Sequence, residues 1–320
     1  MIDRRFIFFD EEKHKYSDEY GNQYTSVTTL IHSCVVPFKK YYWAKIKADE
    51  VGTSVSSIVK QWDKINKNSL DVGNKKHNAF ESAIKSTSKF SKAVKVITVN
   101  DISRCFSIYD VFENPEIGEL SLKEFYDKIG NKYPIIYKTI EYYVNKGYRI
   151  FSEINVYDPT NLISGTIDVL LVKDNDAVII DWKSNRNEIK FESGYYKKDK
   201  ATGELTSLWI PFKRYMIYPL DDIEDCNGSH YTLQLSLYAA LAELFGLVIK
   251  GLILFHIRDS YVTNNWGMPK KDATGLYIVD KTKPEIVDHH LMEYYKEPAM
   301  RLIKHHGKSV KVSSQKILMI

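Results

Sequence analysis

Cysteine is scarce in this chain: its 320 residues hold only three, Cys34, Cys105 and Cys226, far apart and odd in number. That speaks against a disulfide framework, and without a C-x-x-C pair there is no thiolate metal motif either. A long apolar run is also missing. Nothing is long enough to span a bilayer, and Met1 to Asp10 is too charged and too short in its hydrophobic part to read as a signal peptide. Charge of one sign is lacking too: 45 Lys and Arg against 41 Asp and Glu leave a formal +4, which permits a polyanionic partner without demanding one. There is no internal repeat and no low-complexity linker. The expectation is a soluble, intracellular, cytoplasmic protein with no membrane association.

What the chain does have is enough apolar residue, 44%, to bury a sizeable core, and a length that suits one elaborated α/β domain over residues 1–320. Tyrosine is abundant. Many of the 23 tyrosines sit beside Lys or Arg, as in Lys40-Tyr41-Tyr42-Trp43, Tyr195-Tyr196-Lys197-Lys198 and Phe212-Lys213-Arg214-Tyr215. Rings interleaved with cations are what single-strand nucleic-acid binders use, although composition alone equally allows ordinary core and surface tyrosine.

The most informative stretch runs from Ser164 to Lys183, S-G-T-I-D-V-L-L-V-K-D-N-D-A-V-I-I-D-W-K. Ile167–Val172 and Ala177–Trp182 read as two central strands joined by a turn over 173–176. Into this apolar pair the sequence places Asp168, Asp181 and Lys183, types that are rarely buried unless paired or bound to metal. Alternation puts Asp181 and Lys183 on one face and Trp182 on the other. Two carboxylates and an ammonium then converge at one end of the hairpin, where carboxylate oxygens and the Trp182 carbonyl suit Mg²⁺ or Mn²⁺ and a lysine can orient or deprotonate water. A structural ion pair at a strand end is the plain alternative.

The remainder reads in order as an N-terminal hairpin from Phe6 to about Tyr24, a helix capped by the hydroxyls of Thr25 to Thr29, and a helix started by Pro37. Helical periodicity covers Val51–Phe90, with His77 and Glu81 one turn apart on one face. Ser88–Asn114 reads as a helix and then a loop. Leu122–Lys146 is helical with a break at Pro134, and Gly147 caps it before an alternating strand, Tyr148–Val156. Glu153 lies inside that strand, facing the Asp168 site if the strand pairs beside the hairpin and solvent otherwise. Residues 187–228 form an insertion too long for an ordinary connection, a basic and aromatic flap with Tyr195, Tyr196, Lys197, Lys198 and Arg214. His230–Phe245 is an amphipathic helix carrying Gln234 and Tyr238, Gly251–Arg258 a buried strand, Leu276–Val279 a further strand, and Glu285–His306 a terminal helix.

The ordered series Gly73-x-x-x-His77, Glu153, Gly165-x-x-Asp168, Asp181-Trp182-Lys183 and Gln234-x-x-x-Tyr238 resembles the motifs of RecB-like nucleases of the PD-(D/E)XK superfamily. It covers about 24–258 and is most similar to phage-type exonucleases and the mitochondrial genome maintenance exonuclease. The resemblance implies a restriction-endonuclease-like core, a central mixed β-sheet flanked by helices, with a helical part over 1–147 carrying His77, a catalytic core over 148–258, and a C-terminal strand and helix over 259–320. It further implies Mg²⁺ or Mn²⁺ held by His77, Asp168, Asp181 and the Trp182 carbonyl, with Lys183 positioning water and Glu153 in or near the metal shell. Gln234 and Tyr238 then contact DNA or support Lys183, and Gly165 lets the phosphate backbone approach. The first motif departs from the commoner form in having Asn74 after Gly73, which concerns the loop expected before His77. Some relatives carry an iron-sulfur cluster on four cysteines; three unpaired cysteines exclude that cluster here.

The activity implied is metal-dependent hydrolysis of DNA phosphodiesters at ends or in single strands, in the host cytoplasm if the chain is phage-encoded. A structure-specific or restriction-like endonuclease uses the same core. A non-catalytic DNA-binding subunit is the third alternative, opposed by the intact Asp168, Asp181, Lys183 and His77.

Overall fold

The computed structural model describes residues 2–90, 98–99 and 102–317. Its frame is an eleven-stranded mixed sheet in the order β13 (Ile286–Met292), β12 (Val248–Arg258), β9 (Asp176–Lys183), β8 (Ile163–Lys173), β3 (Gln23–Ser26), β2 (Lys15–Asp18), β1 (Ile7–Asp10), β5 (Ile102–Arg104) and β4 (Thr98–Val99), with β7 (Arg149–Asp158) on the other edge of β8 and β6 (Phe106–Ser107) beside β7. The N-terminal strands β1 (Ile7–Asp10), β2 (Lys15–Asp18) and β3 (Gln23–Ser26) form the expected hairpin and its continuation. The Ser26 hydroxyl then accepts from Thr29 N and caps α1 (Val27–His32). Helix α2 (Lys40–Val51) begins three residues after Pro37 and ends at Gly52, whose φ of 66° only glycine adopts cheaply. Helix α3 (Val55–Thr87) is 33 residues long and carries Gly73 and His77 within it, so no loop precedes the histidine.

The central strands are longer than their apolar runs suggest: β7 (Arg149–Asp158), β8 (Ile163–Lys173) and β9 (Asp176–Lys183). β7 pairs antiparallel with β8 from Arg149↔Val172 to Asp158↔Ile163. Along its other edge β8 changes partner. It pairs with β9 only from Lys173↔Asp176 to Val169↔Ile180, and with β3 only at Ile163 and Ser164. Gly165 to Asp168 therefore have no strand partner on that edge among the described residues. The sheet opens there.

Each face of the sheet is covered by helices. Phe80, Ala83 and Ile84 of α3 and Ile136 and Ile140 of α6 (Pro134–Asn145) pack on Val169, Ile180 and Trp182. Leu233, Leu237 and Leu241 of α7 (Asn227–Leu244) and Leu302 of α8 (Lys296–Ile317) pack on Leu170, Ile179 and Leu254 of the opposite face. β12 (Val248–Arg258) returns from α7 parallel to β9, with Leu254 beside Asp181 and His256 beside Lys183. No helix is long and apolar enough to cross a membrane among the described residues.

Several expected elements change. Glu285–His306 is not one helix: Ile286–Met292 is strand β13, which closes the β12 edge from Leu252 to Arg258, and α8 starts only at Lys296. An open edge of a buried strand demands backbone partners, and this outweighs local helical periodicity. Leu276–Val279 makes only isolated bridges, Lys271↔Tyr277 and Tyr261↔Val279. Of the span read as a helix and then a loop over 88–114, residues 91–97, 100 and 101 lie outside the described residues, so the helical part is largely among them; in place of the expected loop the described residues give β4 (Thr98–Val99), β5 (Ile102–Arg104), β6 (Phe106–Ser107) and α4 (Ile108–Glu113). The helical reading of Leu122–Lys146 resolves into α5 (Leu122–Phe125), a widened turn over Tyr126–Gly130, and α6, which Pro134 begins rather than interrupts. The insertion contains a two-stranded hairpin, β10 (Gly194–Lys198) with β11 (Leu205–Pro211).

Candidate active site

The opening between β8 and β9 is filled by a side chain. The Asp168 carboxylate accepts the Trp182 N–H at 3.0 Å through Oδ2, replacing the strand bond that the splayed backbones no longer make. Its Oδ1 lies 3.2 Å from His77 Nε2, which is also 3.3 Å from Glu153 Oε1. The structure thus brings His77, Glu153 and Asp168 together although they come from three elements. Asp181 is 1% exposed and pairs with the Lys183 ammonium, yet neither of its oxygens makes a well-directed hydrogen bond. Trp182 faces the other way, stacked between Phe80 and Phe255 at 4.7 and 5.5 Å, which anchors the strand end.

Glu153 has φ of 59°, a left-handed conformation that a non-glycine residue adopts at a cost of about 1–2 kcal/mol. Its neighbours show the consequence. Phe151, Ile154 and Val156 all point into the α7 side of the core, so the alternation of β7 slips by one at Glu153. The slip lets one strand bury apolar side chains on both sides of the glutamate while sending its carboxylate toward His77.

The electrostatics of this cluster favour a cation. Burial first, and the Asp168 charge second, push Asp181 up to about 7 and Glu153 up to about 8. Burial also pushes Asp168 up, but the His77 hydrogen bond, the Lys183 charge and the Trp182 N–H together hold it below the usual carboxylate range. The bond to Asp168 raises His77 to about 9 against the effect of burial, and Asp181 and Asp168 keep Lys183 above its ordinary value. Three carboxylates face one ammonium and one imidazole. With the imidazole neutral, as a metal ligand must be, three negative charges against one positive leave the charge of a divalent ion to be matched. The Asp181 oxygens, which face the Lys183 ammonium, and Glu153 Oε1, 3.3 Å from His77 Nε2, make no well-directed hydrogen bond, and buried polar atoms so placed fit that group by the same reasoning, since they are costly unless something binds them. Glu153, Asp168 and His77, which meet at His77 Nε2, would hold it, with Asp181 joining from its pair with Lys183.

Glu81, one turn from His77 on the same helix face, belongs with this set. His77, Glu81 and Glu153 each present a ligand atom within 4.8 Å of one another, and Glu81 also pairs with Lys85. The signal in the sequence was the four-residue spacing.

Two glycines serve packing rather than substrate. A methyl on Gly165 would lie 2.6 Å from Tyr238 Cε1, so the missing side chain makes room for that ring and not, as expected, for a phosphate backbone. A methyl on Gly73 would lie 3.0 Å from Ser184 Oγ, which shows how closely α3 crosses the end of β9. Tyr238 is 5% exposed, and its hydroxyl accepts from Gln234 Nε2 at 3.0 Å. The pair stands behind the carboxylates.

The chain leaves the sheet at the end of β9, Lys183, and the flap rejoins at α7, whose Tyr231 ring lies 5.2 Å from the Lys183 ammonium. Tyr195 is 55% exposed and stacks with Phe212 at 6.4 Å; Lys197 and Lys198 are exposed. Tyr196 is half-buried against Trp209. Arg214 is engaged, its Nε 2.8 Å from the buried Asp225 carboxylate. A cavity of about 660 Å³ under the hairpin and one of about 680 Å³ beside Phe38 and Trp43 share Arg214, Asp225, Cys226 and Asn227 as a common wall.

No protein-family model matches this chain, and no curated protein matches it. The functional reading therefore rests on the residues themselves.

Proposed function

We propose that the protein is a metal-dependent deoxyribonuclease of the RecB-like, PD-(D/E)XK type, acting as an exonuclease on DNA ends or single strands. One observation carries the reading: the central sheet opens between β8 and β9, and the opening holds Asp168, Asp181 and Lys183, with a buried Asp181 carboxylate that faces the Lys183 ammonium and makes no well-directed hydrogen bond. A bound Mg²⁺ or Mn²⁺ would supply Lewis acidity toward a phosphoryl oxygen and a water of lowered pKa. The chain's own residues do the rest. Asp168 is fixed by Trp182 N–H and His77, so its free geometry is small and its charge is retained. Lys183 presents its ammonium beside Asp181, where it hydrogen-bonds an incoming water or the phosphoryl oxygens on which negative charge develops. His77 and Glu153 close the side toward α3, and the Gln234–Tyr238 pair closes the floor.

The flap supports a nucleic-acid substrate. Exposed Tyr195 and Phe212 beside one cavity, with exposed Phe38 and Trp43 on the other, offer stacking surfaces, and Lys197 and Lys198 offer phosphate contacts. End-labelled linear DNA and covalently closed circular DNA, each with Mg²⁺ and with Mn²⁺, test the proposal. Mononucleotides or short products from the linear substrate alone support an exonuclease. Nicking of the circle makes it an endonuclease, and no hydrolysis of either, in either metal, refutes a nuclease.

A further inference from the structure

After Lys183 the chain has to leave the sheet, and its next residues are tied to three separate elements. Arg186 bonds Ile65 O and Ser69 Oγ of α3 at 3.0 and 2.6 Å. The Asn185 side-chain oxygen accepts from the Tyr231 hydroxyl of α7 at 2.7 Å. The Asn185 main-chain oxygen lies 2.8 Å from Nε2 of His256 on β12. A carbonyl can only accept, so Nε2 carries the proton. His256 is wholly buried, and Nδ1, 3.3 Å from Asp288 Oδ2, makes no well-directed bond. Burial, the largest influence, holds its pKa below the ordinary value, which keeps it neutral with the proton on Nε2.

An imidazole at a fully buried strand position flanked by Phe255 and Ile257 is expensive if packing is its only duty, since an apolar side chain would fill the same space without leaving Nδ1 unpaired. Its one good bond goes to the exit of β9. From there the connection continues: Asn185 holds the Tyr231 hydroxyl, and the Tyr231 ring faces the Lys183 ammonium at 5.2 Å. Lys183 itself is set beside His256 in the β9–β12 register. The lysine is thus bounded by Asp181 on one side and by a ring whose tilt is fixed on the other.

We infer that His256, Asn185 and Tyr231 are positioning residues that fix where the Lys183 ammonium stands. The inference rests on the proposed role of Lys183 in hydrolysis. None of the three contacts the carboxylate cluster by hydrogen bond among the described residues, so their loss leaves metal binding in place and misplaces only the lysine. A displacement of about 1 Å at a reacting group costs up to about 100-fold in rate.

Four variants test it: Tyr231→Phe, which keeps the ring and loses the bond to Asn185; Tyr231→Leu, which loses both; His256→Leu; and His256→Gln, whose amide N–H replaces Nε2. Two kinds of readout are taken, the kcat and KM of DNA hydrolysis with Mn²⁺ affinity, and the rate at which acetic anhydride labels the Lys183 amine, measured by mass spectrometry against Lys197 in the same sample. The expected result for Tyr231→Phe, Tyr231→Leu and His256→Leu is kcat down by about 10- to 100-fold with KM and Mn²⁺ affinity within about 2-fold, and Lys183 labelled at least about 3-fold faster. His256→Gln restores both toward wild type. Unchanged labelling of Lys183 in both Tyr231 variants overturns the inference, even if His256→Leu fails to fold. Faster labelling in a protein whose wild type hydrolyses no DNA upholds the positioning and refutes the nuclease reading, so the two failures are separable.

Discussion

Replacing Asp181 by Asn should make the metal-free protein more stable while abolishing hydrolysis. The carboxylate is buried, its oxygens lack directed hydrogen bonds, and Asp168 stands nearby, so the folded state pushes it from 3.8 up to about 7. A raised carboxylate pKa means that the folded state favours the proton: the stability it confers is fully present below the unfolded value and is lost as pH rises through about 7. At pH 8 the gap corresponds to an upper bound of about 4 kcal/mol of strain relieved by a neutral isostere. The substitution also takes from Lys183 its nearest counter-charge, which leaves about 1–3 kcal/mol net, or a rise in Tm of about 2–4 °C for a chain of this length. Urea melts of wild type and Asp181→Asn in EDTA at pH 5 and pH 8 measure it. The advantage of the variant must grow with pH, because wild-type Asp181 holds its proton at pH 5. A variant that is less stable than wild type at pH 8, or an advantage independent of pH, refutes the electrostatic account of the site.

Other consequences follow from the same geometry. Glu153, pushed up to about 8, and His77, raised to about 9, act in the same sense as Asp181, so the metal-free protein loses stability from about pH 4 to pH 9. Mn²⁺ should therefore raise Tm more at pH 8 than at pH 5.5, and an equal rise at both would contradict it. His77→Ala should weaken Mn²⁺ binding about 10-fold or more by calorimetry while the fold persists, since α3 is anchored by Phe80 and Ile84 rather than by the histidine. Gly165→Ala should cost about 1–3 kcal/mol in a denaturant melt because the methyl meets the Tyr238 ring at 2.6 Å, and a neutral result would remove the packing role assigned to that glycine. Charge reversal at Lys197 and Lys198 should weaken single-stranded DNA binding and flatten its salt dependence by anisotropy; Arg214 is a poor choice for that test, because reversing it sets a carboxylate against buried Asp225.

The sequence made the site's chemistry legible more readily than its construction. Asp168, Asp181 and Lys183 stand out because charged residues in runs of Ile, Val and Leu need a reason, and alternation alone places Trp182 on the opposite face. The N-terminal hairpin, the Gly147 cap and the α7 helix could be read from turn and capping residues that act locally. What could not be read depends on partners distant in sequence. β13 is a strand because β12 leaves an edge to fill, and Glu153 reaches His77 only through a local slip of β7 that no pattern announces. Gly165 looks like room for a ligand until Tyr238 is seen to occupy it. His256 is one histidine in an apolar strand, and its role depends on Asn185, 71 residues earlier.

The central claim is that Asp168 and Asp181 share a divalent cation in the opening between β8 and β9. Crystals soaked in Mn²⁺ test it directly through the anomalous difference map. A peak about 2.0–2.4 Å from an oxygen of each carboxylate is the predicted result. A peak confined to Glu81 and Glu153, or none at Mn²⁺ concentrations that support hydrolysis, would contradict the account.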